Sequence, residues 1–191
     1  MSALTGPSGI TCRTIAVMAV VLHLLLSCGG HRKELGDAVS NRDSMAVMVT
    51  KGITTLISEN GAIRYRINAD RWDIFDRMNP PYWSFEYGVH LETLDSLMQV
   101  SSQIMADTAY YYSATEVWEL RGKVHAENVD KEQFDTDLLF WDQRKERVYS
   151  DNLITIRQET QVIYGQGFES NQDFTNYTIR RSEGIFPIDD K

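Results

Sequence analysis

Cysteine is almost missing from this chain of 191 residues: there are two, Cys12 and Cys28, both near the start. Everything beyond them lacks a thiol, which excludes disulfides, a cysteine nucleophile and thiolate metal ligation from the body of the protein. Histidine is nearly as scarce. His23 and His31 lie early, which leaves His90 and His125, each alternating with apolar neighbours as outward strand residues do. No G-x-S-x-G, Walker loop or H-E-x-x-H is present, so no metal, cofactor or catalytic constellation is called for. Asp135, Asp137 and Asp142 lack the glycine and terminal glutamate of a calcium loop and read as turn and outward strand positions. A basic stripe is also lacking. Against 27 acidic residues stand 19 Lys and Arg, and Arg71, Arg77, Arg144, Lys145 and Arg147 all have acidic neighbours, so nucleic acid is excluded as a partner.

No apolar run is long enough to cross a bilayer. The longest, residues 15–26, is interrupted by His23 and falls short of the roughly 20 residues a spanning helix needs. With Arg13 before it and the small residues Ser27, Cys28, Gly29 and Gly30 after it, the run has the order of an export signal. Leu25-Leu26-Ser27-Cys28 resembles the bacterial lipoprotein box, in which the thiol receives diacylglycerol and the chain is cut before it. That resemblance implies a leader over residues 1–27 and a membrane anchor on Cys28, each buried methylene contributing about 0.8 kcal/mol. An ordinary cleavage site with an incidental cysteine is the alternative. Without the leader the chain keeps 18 basic and 27 acidic residues, enough length for one domain. A composition of 42% hydrophobic and 24% charged residues is that of a folded core protein.

Residues 28–52 are polar and of mixed charge apart from a short patch at 45–49, and read as a tether. From Ile53 the period becomes two. Residues 53–58, the Asn60-Gly61 pair and residues 63–69 make strand, tight turn, strand, because Asn-Gly tolerates the positive φ angles of a hairpin. Short alternating stretches separated by polar turns then recur about every 13 residues to the end of the domain at 184, which predicts an all-β meander, sandwich or barrel. Helical turns compete only over residues 71–78 and 94–98, and residues 185–191 form a tail. A loose echo links residues 120–124, 149–153 and 163–167, consistent with stacked rungs.

Taken in order, several segments are recognisable. Ser58-Glu59-Asn60-Gly61-Ala62-Ile63-Arg64-Tyr65-Arg66-Ile67, Gly88-Val89-His90-Leu91-Glu92, Ala106-Asp107-Thr108-Ala109-Tyr110, Leu120-Arg121-Gly122-Lys123-Val124, Thr136-Asp137-Leu138-Leu139-Phe140-Trp141-Asp142, Tyr149-Ser150-Asp151-Asn152 and Tyr164-Gly165-Gln166-Gly167-Phe168-Glu169-Ser170-Asn171 resemble the LptC family of lipopolysaccharide export. The resemblance implies an open, twisted, V-shaped antiparallel β-jellyroll, of the kind shared with LptA, that is not an enzyme. It further implies acyl chains of lipopolysaccharide held inside, receipt from an inner-membrane ABC extractor, and delivery to an LptA-like periplasmic bridge protein by strand pairing. Most members carry a transmembrane helix where this chain has the lipobox, so regulation of the extractor does not carry over with the rest.

Alternation along the strands selects Tyr65, Ile67, Val89, Leu91, Ile104, Val124, Phe140, Val148, Leu153, Ile163 and Phe168 for the inner face. Phe174, Tyr177 and Ile179 are expected on the terminal edge strand, where unpaired backbone groups invite another strand. Periodicity does not separate a lipid slot from a closed core, and Tyr110, Tyr111 and Tyr112 receive no role. An adaptor that binds only proteins through its edges, and a periplasmic hydrolase, are the competing functions.

Overall fold

The computed structural model describes residues 44–185. The expected leader, Cys28, the first part of the expected tether and the residues beyond 185 lie outside the described residues. Among the described residues eleven antiparallel strands form one sheet, with no α-helix: β1 (Met48–Glu59), β2 (Ala62–Phe75), β3 (Tyr82–Phe85), β4 (Val89–Leu94), β5 (Val100–Ala106), β6 (Thr108–Tyr112), β7 (Val117–Asn128), β8 (Gln133–Asp142), β9 (Arg147–Arg157), β10 (Val162–Asn171) and β11 (Tyr177–Ile185).

The pairing shows how one sheet makes two walls. Strand β2 pairs with β1 along one edge; its other edge takes β4 at Tyr65–Ala69 and β3 at Asp73–Phe75. β5 continues β4, β6 continues β3, and both rejoin on the long strand β7, after which β8 to β11 follow in order. Each long strand therefore crosses both halves of the sheet and bends between them. The bends line up at register shifts between Arg121 and Val124, Thr136 and Phe140, and Gln166 and Phe168. Bulges of this kind kink a strand and increase its twist. Gly122 and Gly167 sit there with φ of 73° and 78°, a left-handed backbone that side chains resist. The echo in the sequence marks these corners. Gly88 N donates to Asp107 O and Asp107 N to Gly122 O, both at 2.9 Å, stitching the gap where the short strands end.

The result is an open, twisted antiparallel β-jellyroll, as expected. Asn60 and Gly61 both take positive φ in the β1–β2 turn, which matches the twist of the flanking strands. Two expectations are corrected. Strand pairing begins at Met48, so residues 48–52, expected in the tether, extend β1 against Ile74 and its neighbours. Residues 71–75, where a helical turn competed, continue β2, because Trp72 gains ring contacts with Trp83 and Phe85 inside. Residues 94–98 form a tight turn in which Asp95 Oδ1 accepts from the backbone N–H of Leu97 and Gln99.

Candidate functional site

The inner faces of the two walls meet in a continuous apolar layer. Tyr65, Ile67, Val89, Leu91, Ile104, Val124, Val148 and Phe168 are all buried there, and Ile163 is half-buried against them. Each fully buried aliphatic or aromatic side chain of this kind contributes about 1.5–3 kcal/mol before chain entropy is counted. At one end lie Trp72, Trp83, Phe85, Tyr111, Trp118 and Trp141 in mutual ring contact, and Tyr65 reaches across from the other wall to Trp141 at 5.1 Å. At the other end Phe134 faces Phe168, Phe174 and Tyr177.

Phe140 and Leu153 lie on the outside instead. Alternation reverses within the β8 bulge, so Leu139 and Trp141 take the interior while Phe140 stacks on Tyr149 outside at 5.3 Å. Strand β9 keeps its phase through the same corner: Val148, Ser150, Ile154 and Ile156 face inward, which leaves Leu153 74% exposed. Tyr177 and Ile179 stand on β11 and pack against the core, but Phe174 precedes that strand. Its ring is wholly buried, at 0% exposure, so it offers nothing to an edge.

Sequence reasoning missed a feature that decides the state of the interior. The turn between β10 and β11, residues 171–176, crosses the mouth between the walls. On its own side Gln172 N donates to Glu146 O at 3.0 Å. From the opposite wall Ser102 Oγ donates to Gln172 O at 3.0 Å, Ser101 Oγ to Asp173 Oδ1 at 2.9 Å, and Asn128 Nδ2 to Phe174 O at 3.0 Å. The phenol of Tyr65 donates to Gln172 Oε1 at 3.4 Å. The furrow expected from the sequence is thus filled by the protein's own side chains and strapped shut. The only local hint is Phe174 directly after the polar run Asn171-Gln172-Asp173, and alternation alone places such a residue on a strand.

Electrostatics follow from burial. The Tyr65 hydroxyl is pushed up to about 12, first by burial and then by the charge of Glu59. Burial likewise raises Tyr111 and Tyr177. Asp142 is held below its ordinary range by the hydrogen bond from Lys145, whose Nζ donates to it at 2.8 Å. The indole N–H groups of Trp72, Trp118 and Trp141 and the hydroxyl of Ser84 are buried without partners among the described residues, which costs about 1–3 kcal/mol for each orphaned group.

Outside, His125 Nδ1 lies 2.7 Å from Asp135 Oδ1, and Asp135 also binds Arg157, at the rim of an outer groove of about 550 Å³. His90 Nε2 contacts Gln103 at 3.0 Å. Among the described residues no group of three or more His, Cys, Asp or Glu could hold a metal ion. Nor is any helix among them long and apolar enough to cross a membrane. Strand β1 pairs only with β2 and β11 only with β10, so each presents one unpaired edge within the described residues.

A folded-over sheet with an apolar interior and two free edges defines a jellyroll of the unclosed class. The chain belongs to the LptC-related family of lipopolysaccharide-assembly proteins, which it matches over residues 15–180. It is therefore a component of lipopolysaccharide transport, of a periplasmic family associated with the inner membrane. A comparison with curated proteins finds no match.

Proposed function

We propose that this protein is a lipopolysaccharide transfer component that holds acyl chains between its walls. It receives them from an inner-membrane ABC extractor and passes them to an LptA-like bridge. The observation that carries the reading is the unbroken apolar layer from Tyr65 and Ile67 through Leu91 and Ile104 to Phe168, inside a sheet whose edges stay unpaired. Transfer then works by differential burial: hydrocarbon leaves one apolar interior for the next, while the charged sugar head stays at the mouth. The free edges of β1 and β11 dock neighbours of the same fold by strand addition, with Tyr177 and Ile179 on the outgoing side. Unpaired indole donors inside fit an interior that meets oxygen-bearing chains. Membrane attachment rests on acylated Cys28, and mass spectrometry of membrane-extracted protein should find it diacylated.

A non-transporting adaptor is the second reading, and the filled interior favours it. Photocrosslinking amino acids at Tyr65 or Ile67 separate the two. Lipopolysaccharide adducts support transfer; adducts to protein alone support the adaptor.

A further inference from the structure

The strap at residues 171–176 has the chemistry of a bound amphiphile. Four donors from four places on the facing wall and its rim converge on it: Tyr65 Oη, Ser101 Oγ, Ser102 Oγ and Asn128 Nδ2. All four of its contacts with them are acceptors: two backbone carbonyls, one amide oxygen and one carboxylate oxygen. Beneath this polar rim the ring of Phe174 drops into an aromatic well formed by Phe134 and Phe168, at ring distances of 5.1 and 6.2 Å. An acceptor-rich head above a hydrocarbon tail is what such a place binds.

The backbone shows that this conformation is imposed. Phe174 has a φ of 55°, the left-handed position that Glu116, Lys131 and Glu146 also hold in the preceding hairpin turns, so the turn dictates it and a bulky phenylalanine is the unusual occupant. The turn that forces it is held by Asn171, whose Oδ1 accepts from the backbone N–H of Thr175 and of Asn176. Such an occupant, seated by contacts that a ligand can duplicate, is poised to leave.

We propose that the well under Phe174 is an acyl-chain seat occupied by the protein itself, its rim donors reserved for the ester, amide or phosphate oxygens of an acylated headgroup. Lipid entry displaces the strap. The proposal rests on the reading that lipid enters between the walls, and adds where it enters and what it must push aside. Because the strap leads directly into β11, loading the seat also loosens the first residues of the outgoing edge. Tyr177, which packs on both Phe134 and Phe168, transmits the change. Occupancy and docking of the next protein are thereby linked, each altering the affinity for the other by one common factor.

Hydrogen exchange on the full-length protein, with lipopolysaccharide in one arm and phosphatidylglycerol vesicles in the other, reads the strap directly. The amides of Gln172 and Phe174, bonded to Glu146 O and Asn171 O, should exchange at least about tenfold faster with lipopolysaccharide present. Faster exchange with the vesicles alone supports the seat while contradicting its assignment to lipopolysaccharide. Unchanged exchange in both arms overturns the seat; a crosslinker at Ile67 that still captures lipopolysaccharide then leaves the transfer reading standing. A second arm clamps the strap through paired Ser101→Cys and Asp173→Cys substitutions. Oxidation should reduce lipid capture at Ile67 about tenfold or more, and reduction should restore it in the same sample. Equal capture by the oxidised and reduced protein refutes displacement.

Discussion

Replacing Phe174 by alanine removes a ring that is wholly buried against Phe134 and Phe168. Excising a phenylalanine from such a site costs about 3–5 kcal/mol, made up of lost transfer energy and the cavity left behind. Asn128 keeps its bond to the carbonyl of residue 174, so the cost falls on packing and not on the rim. In urea, where small domains lose about 1–3 kcal/mol of stability per molar, the midpoint followed by tryptophan fluorescence should drop by about 2 M with the slope unchanged. A companion variant tests the backbone. Glycine ordinarily destabilises by about 0.5–1 kcal/mol relative to alanine, but the left-handed φ of 55° costs an L-residue about 1–2 kcal/mol. Phe174→Gly should therefore be no less stable than Phe174→Ala. A midpoint loss under about 0.5 M for alanine, or a glycine variant clearly weaker than the alanine one, refutes this reasoning.

The phase of β9 is testable by neighbours. Ile154→Ala should cost about 2–5 kcal/mol while Leu153→Ala stays within about 0.5 kcal/mol in the same urea titration, and equal losses would contradict that phase. A side chain at Gly165 would strike Ile179 across the β10–β11 pair, so Gly165→Val should abolish amide protection in β11 while β7 and β8 stay protected. Persistence of β11 protection would count against that close pairing. Tyr65 holds its phenolic proton more tightly folded than unfolded, with about 12 against 10.0. Its contribution to stability is complete below pH 10 and is lost as pH rises toward 12. Urea midpoints between pH 9.5 and 11.5 should fall, and Tyr65→Phe should make the fall shallower; parallel curves would show that Tyr65 is not the titrating group.

Much of this fold could be read from period and turn chemistry. Asn60-Gly61 announces its hairpin because few other pairs accept two positive φ angles, and Tyr65 and Ile67 alternate with arginines that face water. Reading failed where alternation itself fails. The β8 corner reverses which side chains face inward, from Phe134 and Thr136 to Leu139 and Trp141, and period two carries no warning of it, so Phe140 falls on the outer face. Leu153 is different, because β9 alternates without a break from Val148 to Ile156 and strict counting from Val148 places it outside. Trp72 was hidden for the same reason as Phe140: β2 changes phase near Asp70 as it passes from one wall to the other. Phe174 was illegible for a different one. Its burial depends on Ser101, Ser102 and Asn128, whose hydrogen bonds to residues 172–174 span 46 to 72 positions, and no local pattern reports a contact of that range.

The central claim is that hydrocarbon travels inside the fold and not along its surface. Crosslinkers placed in pairs, inward at Leu91 and outward at Phe140, report this most directly when membranes containing the extractor and lipopolysaccharide are supplied with ATP. Lipopolysaccharide captured at Leu91 and absent at Phe140 is the predicted result. Equal capture at both positions, or capture at Phe140 alone, contradicts it.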